Sequence, residues 1–118
     1  MKYLCLIYDD EKMVEGMSKD EGDAFLGEYM TFSDDLARSG RLLAGEALQP
    51  VATATVVRMR NGRMSTTDGP FAETREQLGG FYMIEAGDLN EAIQVAARIP
   101  SARTGSVEVR PVVNFGQA

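Results

Sequence analysis

Asp68 is the residue of this sequence best placed to do chemistry. It closes the run Thr66-Thr67-Asp68, and Gly69-Pro70-Phe71 follows at once. The glycine and proline turn the backbone away from helical geometry, which holds the aspartate at the end of a strand. At the mouth of a cleft, partly desolvated by Phe71, its carboxyl would have its pKa raised toward the working range of a general base. The competing reading is an Asx-type turn, in which the carboxylate accepts backbone N–H bonds and only fixes the loop. Arg75 offers a guanidinium that forks onto carboxylates, although beside Glu73 and Glu76 it also reads as part of a solvated charge cluster. A hydroxyl on Tyr82 could orient a substrate, or the ring could simply belong to the core. Around Asp68 as the candidate catalytic residue, the candidate ligand-binding set is therefore Gly69, Pro70, Phe71, Arg75 and Tyr82.

The chain contains no histidine, which removes the Ser-His-Asp and Cys-His catalytic arrangements, imidazole bases and His-ligated metals. Its single cysteine, Cys5, lies between Leu4 and Leu6 and reads as an inert buried thiol with no disulfide partner. Asp9-Asp10 and Asp34-Asp35 are neighbours along the chain, so their side chains need not converge, and no metal site is expected from them. Gly79-Gly80 lacks the phosphate-loop pattern and fits close backbone packing or a bulge. No cofactor is expected.

Charge narrows the partners. Across 118 residues, 12 basic and 18 acidic side chains leave a net charge of -6, which repels a phosphate backbone and argues against direct nucleic-acid binding. The one basic concentration, Arg58, Arg60 and Arg63, reads as the solvated face of a strand. No apolar run reaches the roughly 18 residues of a membrane span, and no signal-peptide pattern opens the chain. A cytoplasmic protein with no membrane contact is expected.

Elements to position these residues follow from the patterning. Residues 2–9 are almost wholly apolar and read as a strand buried on both faces, with residues 12–17 as a loop. Ser18 and Glu21 have capping-box spacing, and Phe25, Tyr29, Phe32 and Leu36 lie on one stripe of the helix that follows, which Gly40 ends. Residues 42–48 read as extended. Residues 53–60 and 63–67 flank Asn61-Gly62, a pair that tolerates positive φ at both turn positions, so they read as a hairpin. Residues 72–78 are a helical turn or an irregular loop, and 81–84 are a second all-apolar strand. Asp88 caps a second helix with Leu89, Ala92, Ile93, Ala96 and Ala97 on its apolar face, ended by Pro100. Residues 107–112 alternate as a last strand ending near Pro111. This gives one α+β domain over residues 1–118, an antiparallel sheet with two helices on one face. Two strands apolar on both sides leave the other face in need of cover, and a second copy of the chain is the simplest cover.

The segments Gly45-Glu46-Ala47-Leu48-Gln49-Pro50 and Asp68 through Gly80 (DGPFAETREQLGG) resemble the DGPF branch of the YCII-related proteins. The tail residues 97–100 and 106–111 are similar to that family too. The resemblance implies a ferredoxin-like fold pairing into a dimeric α+β barrel. It also implies that Asp68 is the aspartate of a His-Asp pair proposed for the wider family, a pair whose histidine this chain lacks. Two functional expectations follow. One is a homodimeric small-molecule-binding protein or cofactor-free enzyme, with a proton-transfer site near Asp68 at a cleft by the dimer seam. The alternative is a non-catalytic regulatory or interaction module associated with an extracytoplasmic-function sigma factor, which the resemblance suggests.

Overall fold

The structure, a computed structural model, describes residues 1–116. In chain order the elements are β1 (Lys2–Asp9), α1 (Glu11–Glu15), α2 (Lys19–Arg38), β2 (Leu42–Ala47), a 3-10 turn (Val51–Thr53), β3 (Thr55–Arg60), β4 (Arg63–Asp68), β5 (Gln77–Glu85), α3 (Leu89–Ala96), α4 (Ser101–Thr104) and β6 (Ser106–Pro111). Four strands make an antiparallel sheet in the order β2-β5-β1-β6. The two longer helices lie on one face, the α+β arrangement expected. No helix among the described residues is long and apolar enough to cross a membrane.

Strand alternation sorts the side chains of the central strand. Tyr3, Cys5 and Ile7 point under the helices and are buried, together with Phe32 and Leu36 of α2, Val95 of α3 and Ile84 of β5. Burial pushes the Cys5 thiol up to about 11, so at neutral pH it is an ordinary protonated apolar group. On the opposite face Leu4 faces Met83 and Leu6 faces Phe81 across the β1–β5 ladder, and all four are only half-buried.

Local signals explain the helix ends. Ser18 accepts from the Glu21 amide at 3.1 Å and Glu21 accepts from the Ser18 amide at 3.2 Å, a reciprocal capping box. That bonding also lowers the Glu21 carboxyl's pKa. Gly40 takes φ 77° just beyond α2. Residues 12–17 are not a loop throughout: α1 occupies Glu11–Glu15, because Asp10 accepts from the Lys12 amide at 2.9 Å and caps it. Residues 72–76 are irregular, and β5 begins at Gln77, earlier than its apolar stretch suggests.

The hairpin departs most from the body. Asn61 and Gly62 take φ 54° and 76°, the left-handed pair that a tight two-residue turn needs. β3 and β4 pair only with each other. The chain's radius of gyration is 16.4 Å, against about 13.5 Å for a compact domain of this length. The hairpin is thus an arm. One of its faces carries Val57, Met59 and Met64, each more than half exposed, and the other carries Arg58, Arg60 and Arg63.

Leu36 is fully buried between α2 and the sheet. Leu36→Ala is expected to cost about 3 kcal/mol, through lost transfer energy and the cavity left behind. Urea unfolding checks this as a lower midpoint at unchanged slope.

Candidate functional site

A cleft of about 660 Å³ opens between α1, α2 and the β2–β5 end of the sheet, within the size range of small-molecule sites. Its walls are mainly apolar, with Phe25, Leu26 and Met30 from α2, Val14 from α1, and Leu48 and Pro50 from the chain after β2. Leu26 and Met30, a turn apart on α2, are about 60% exposed because they face this opening and not the core.

The floor is polar. Tyr29 donates to the Ser101 hydroxyl, and Ser101 donates in turn to one oxygen of Asp9. Thr104 donates to the other Asp9 oxygen at 2.8 Å. These groups come from three elements: β1 ends at Asp9, α2 carries Tyr29, and the short α4 carries Ser101 and Thr104. Ser101 is 1% exposed, the one buried polar residue among those described, and its hydroxyl both accepts and donates. Burial is the largest cause that raises the Tyr29 pKa, with the Ser101 bond opposing it and the Asp9 charge adding to it. Tyr29 therefore stands at neutral pH as a phenol able to donate. Beside it, the Ser33 and Tyr82 hydroxyls bond at 2.6 Å, and the Tyr82 ring meets Phe32 edge-on at 5.2 Å.

Backbone shape makes room for this floor. A Cβ on Gly105 would stand 2.0 Å from the Tyr8 carbonyl and 2.5 Å from an Asp9 oxygen, so only glycine lets the start of β6 pass the Asp9 carboxylate. Between Ile7↔Gly80 and Tyr8↔Leu78 the register skips Gly79, a bulge. Past it, Gln77 lies opposite Asp9, and its side chain accepts from the Glu11 amide at 2.9 Å. Glu11 in turn accepts from the Val51 amide at 3.0 Å, which ties α1 to the segment after β2.

Comparison with known proteins agrees with this architecture. The family model of the YCII-related domain matches residues 1–116. The chain belongs to the YCII-related family. An uncharacterised protein of Rhizobium meliloti (strain 1021) is 37% identical over 117 residues, covering 98% of this chain and 94% of the relative.

Of the candidate catalytic and ligand-binding residues that the sequence of this YCII-related chain points to, Tyr82 alone lines the cleft. Asp68 lies at the root of the hairpin, opposite Thr55, and is exposed. Gly69 takes φ 100° and its amide donates to the Ala54 carbonyl at 2.8 Å, closing the hairpin. Pro70 is half-buried, and Phe71 is 83% exposed, so its ring does not desolvate Asp68. Arg75 borders a second, shallower cavity with Asp10, Glu76 and Glu108. Sequence patterning does not mark Asp9, Tyr29 or Ser101 as site residues. Tyr29 sits on the recognised helix stripe, and Asp9 was read only as half of an adjacent acidic pair.

Ser101→Ala removes the group joining Tyr29 to Asp9 and leaves both with one partner fewer. A loss of about 1–3 kcal/mol is expected, measured by thermal or urea unfolding.

Proposed function

We propose that this protein binds a small molecule in the cleft between α1, α2 and the sheet, and that Asp9, Ser101 and Tyr29 form a proton relay at its floor. One observation supports the reading above others: an unbroken chain of hydroxyls links a carboxylate to a phenol inside a mainly apolar cleft. A proton leaving a bound molecule passes to the Tyr29 oxygen as the Tyr29 proton moves to Ser101 and the Ser101 proton moves to Asp9. The reverse sequence delivers a proton from Asp9. Such a relay does general acid–base work without a histidine, and it moves the reacting carboxylate from Asp68 to Asp9.

The reading includes a homodimer. Leu4, Leu6, Phe81 and Met83 form an apolar patch on the sheet face that no helix covers, and a self-complementary pairing of two sheets would bury it. The apolar side of the hairpin arm, also uncovered within one chain, extends the surface available to the partner.

Both parts are open to test. In an NMR screen of aromatic fragments, binders are expected to shift the amides of Tyr29, Ser33, Gly45 and Gly80. Tyr29→Phe should weaken those binders by roughly fivefold, the value of one lost hydrogen bond. Fragments that all map to the hairpin root around Asp68 would overturn the placement. Light scattering is expected to give twice the 12.9 kDa chain mass for the wild type and a monomer for Leu4→Asp. A monomeric wild type at micromolar concentration would remove the dimer.

A further inference from the structure

We infer that the cleft selects cations, and that its ligand is an amphipathic amine: an aromatic or branched apolar body carrying an ammonium group. The inference rests on the cleft reading above and adds the chemical class of the occupant.

Charge at the cleft is one-signed. Asp9, Glu11, Glu15 and Asp34 all border it, and no lysine or arginine is among its lining residues. Glu46 borders it too, but pairs with Phe81 on the open sheet face, so alternation turns its carboxylate away. Among the described residues none of these four carboxylates takes part in an ion pair. The two at the floor are held by neutral donors, Asp9 by the Ser101 and Thr104 hydroxyls and Glu11 by the Val51 amide. Hydrogen bonds of this kind orient a carboxylate without cancelling its charge. Glu15 and Asp34 stand exposed at the rim.

Most arginines of the chain stand away from this cleft. Three sit on the hairpin arm, and Arg41, Arg103 and Arg110 pair with Glu91, Glu28 and Glu108. The cavity bordered by Arg75 contains both signs, whereas carboxylates are the only charged groups bordering the α1–α2 cleft.

Three aromatic rings complete the match. Phe25 and Tyr29 stand edge-to-face at 5.4 Å, and Tyr82 borders the same space. Aromatic faces attract a cation and accept an apolar body equally well. In a partly dehydrated opening, carboxylates at the rim strengthen that preference and repel a carboxylate ligand. An anionic substrate would enter against four unpaired negative charges with no guanidinium or ammonium to receive it.

Three probes of nearly equal size separate the possibilities: 2-phenylethylamine, 2-phenylethanol and phenylacetate, each titrated into the full-length protein at neutral pH and followed by NMR. The amine is expected to bind about tenfold tighter than the alcohol, the sum of several exposed charge pairs and a cation–π contact, and phenylacetate more weakly than either. Added salt should weaken the amine alone. The double variant Glu15→Gln/Asp34→Asn should weaken the amine about threefold and leave the alcohol unchanged, with both side chains at the rim where folding does not depend on them. If the alcohol or phenylacetate binds as tightly as the amine at the cleft amides, cation selection is wrong while the cleft remains a binding site. If none of the three shifts those amides, the cleft reading fails and the selectivity with it.

Discussion

The central strand β1 is the constraint on which the remaining structure depends. It pairs with β5 on one side and β6 on the other, so its backbone is satisfied and its side chains have two faces to fill. Helices α2 and α3 fill one. Tyr3, Cys5 and Ile7 supply buried side chains to that face, and Asp9 continues the same alternation at its end. A carboxylate thus arrives on the buried side of the sheet by strand geometry alone. Left without partners, it would be costly there. The two hydroxyls of α4 answer that demand, and Tyr29 extends the chain toward the cleft.

Satisfying Asp9 imposes conditions on distant parts of the sequence. The start of β6 must pass so close to Asp9 that position 105 admits no side chain. Gly80 faces a related restriction, since a Cβ there would lie 2.7 Å from the Glu46 carbonyl. The Gly79 bulge beside it changes which face β5 presents beyond Ile7 and brings Gln77 level with Asp9. The glycine pair is therefore both a bulge and a point of close backbone packing, and these were the two uses its lack of a phosphate-loop pattern had left open.

Most of the fold was legible because its signals are local. The capping box at Ser18, the Asn61-Gly62 turn and the stripe through Phe32 and Leu36 each act over a few residues, and each stands where the pattern put it. Short helices were less readable. Five residues of α1 and four of α4 are too few for a 3.6-residue period to show, and tertiary bonds hold them, from the Glu11 amide to Gln77 and from the Ser101 and Thr104 hydroxyls to Asp9. The cleft was harder still. Asp9 and Ser101 are 92 positions apart, and nothing in either segment announces the other. Adjacency also made Asp9-Asp10 look like one feature. In the strand-to-helix passage the two residues separate, Asp9 toward the core and Asp10 onto the amide of Lys12 as a helix cap.

The absence of histidine shapes what chemistry such a site can perform. An imidazole would switch charge near neutral pH and could both accept and donate there. A carboxylate coupled through serine to a phenol spans a much wider range of acidities, with each proton held until a bound molecule changes the balance. Burial raises the phenol's pKa, so Tyr29 is protonated at neutral pH. Glu11, Glu15 and Asp34 border the same cleft, so the proposed acid–base groups and the one-signed rim share one field. A ligand carrying its own positive charge would lower the cost of holding that field in a partly dehydrated space, and would acidify its own neighbouring C–H or N–H bonds toward the relay.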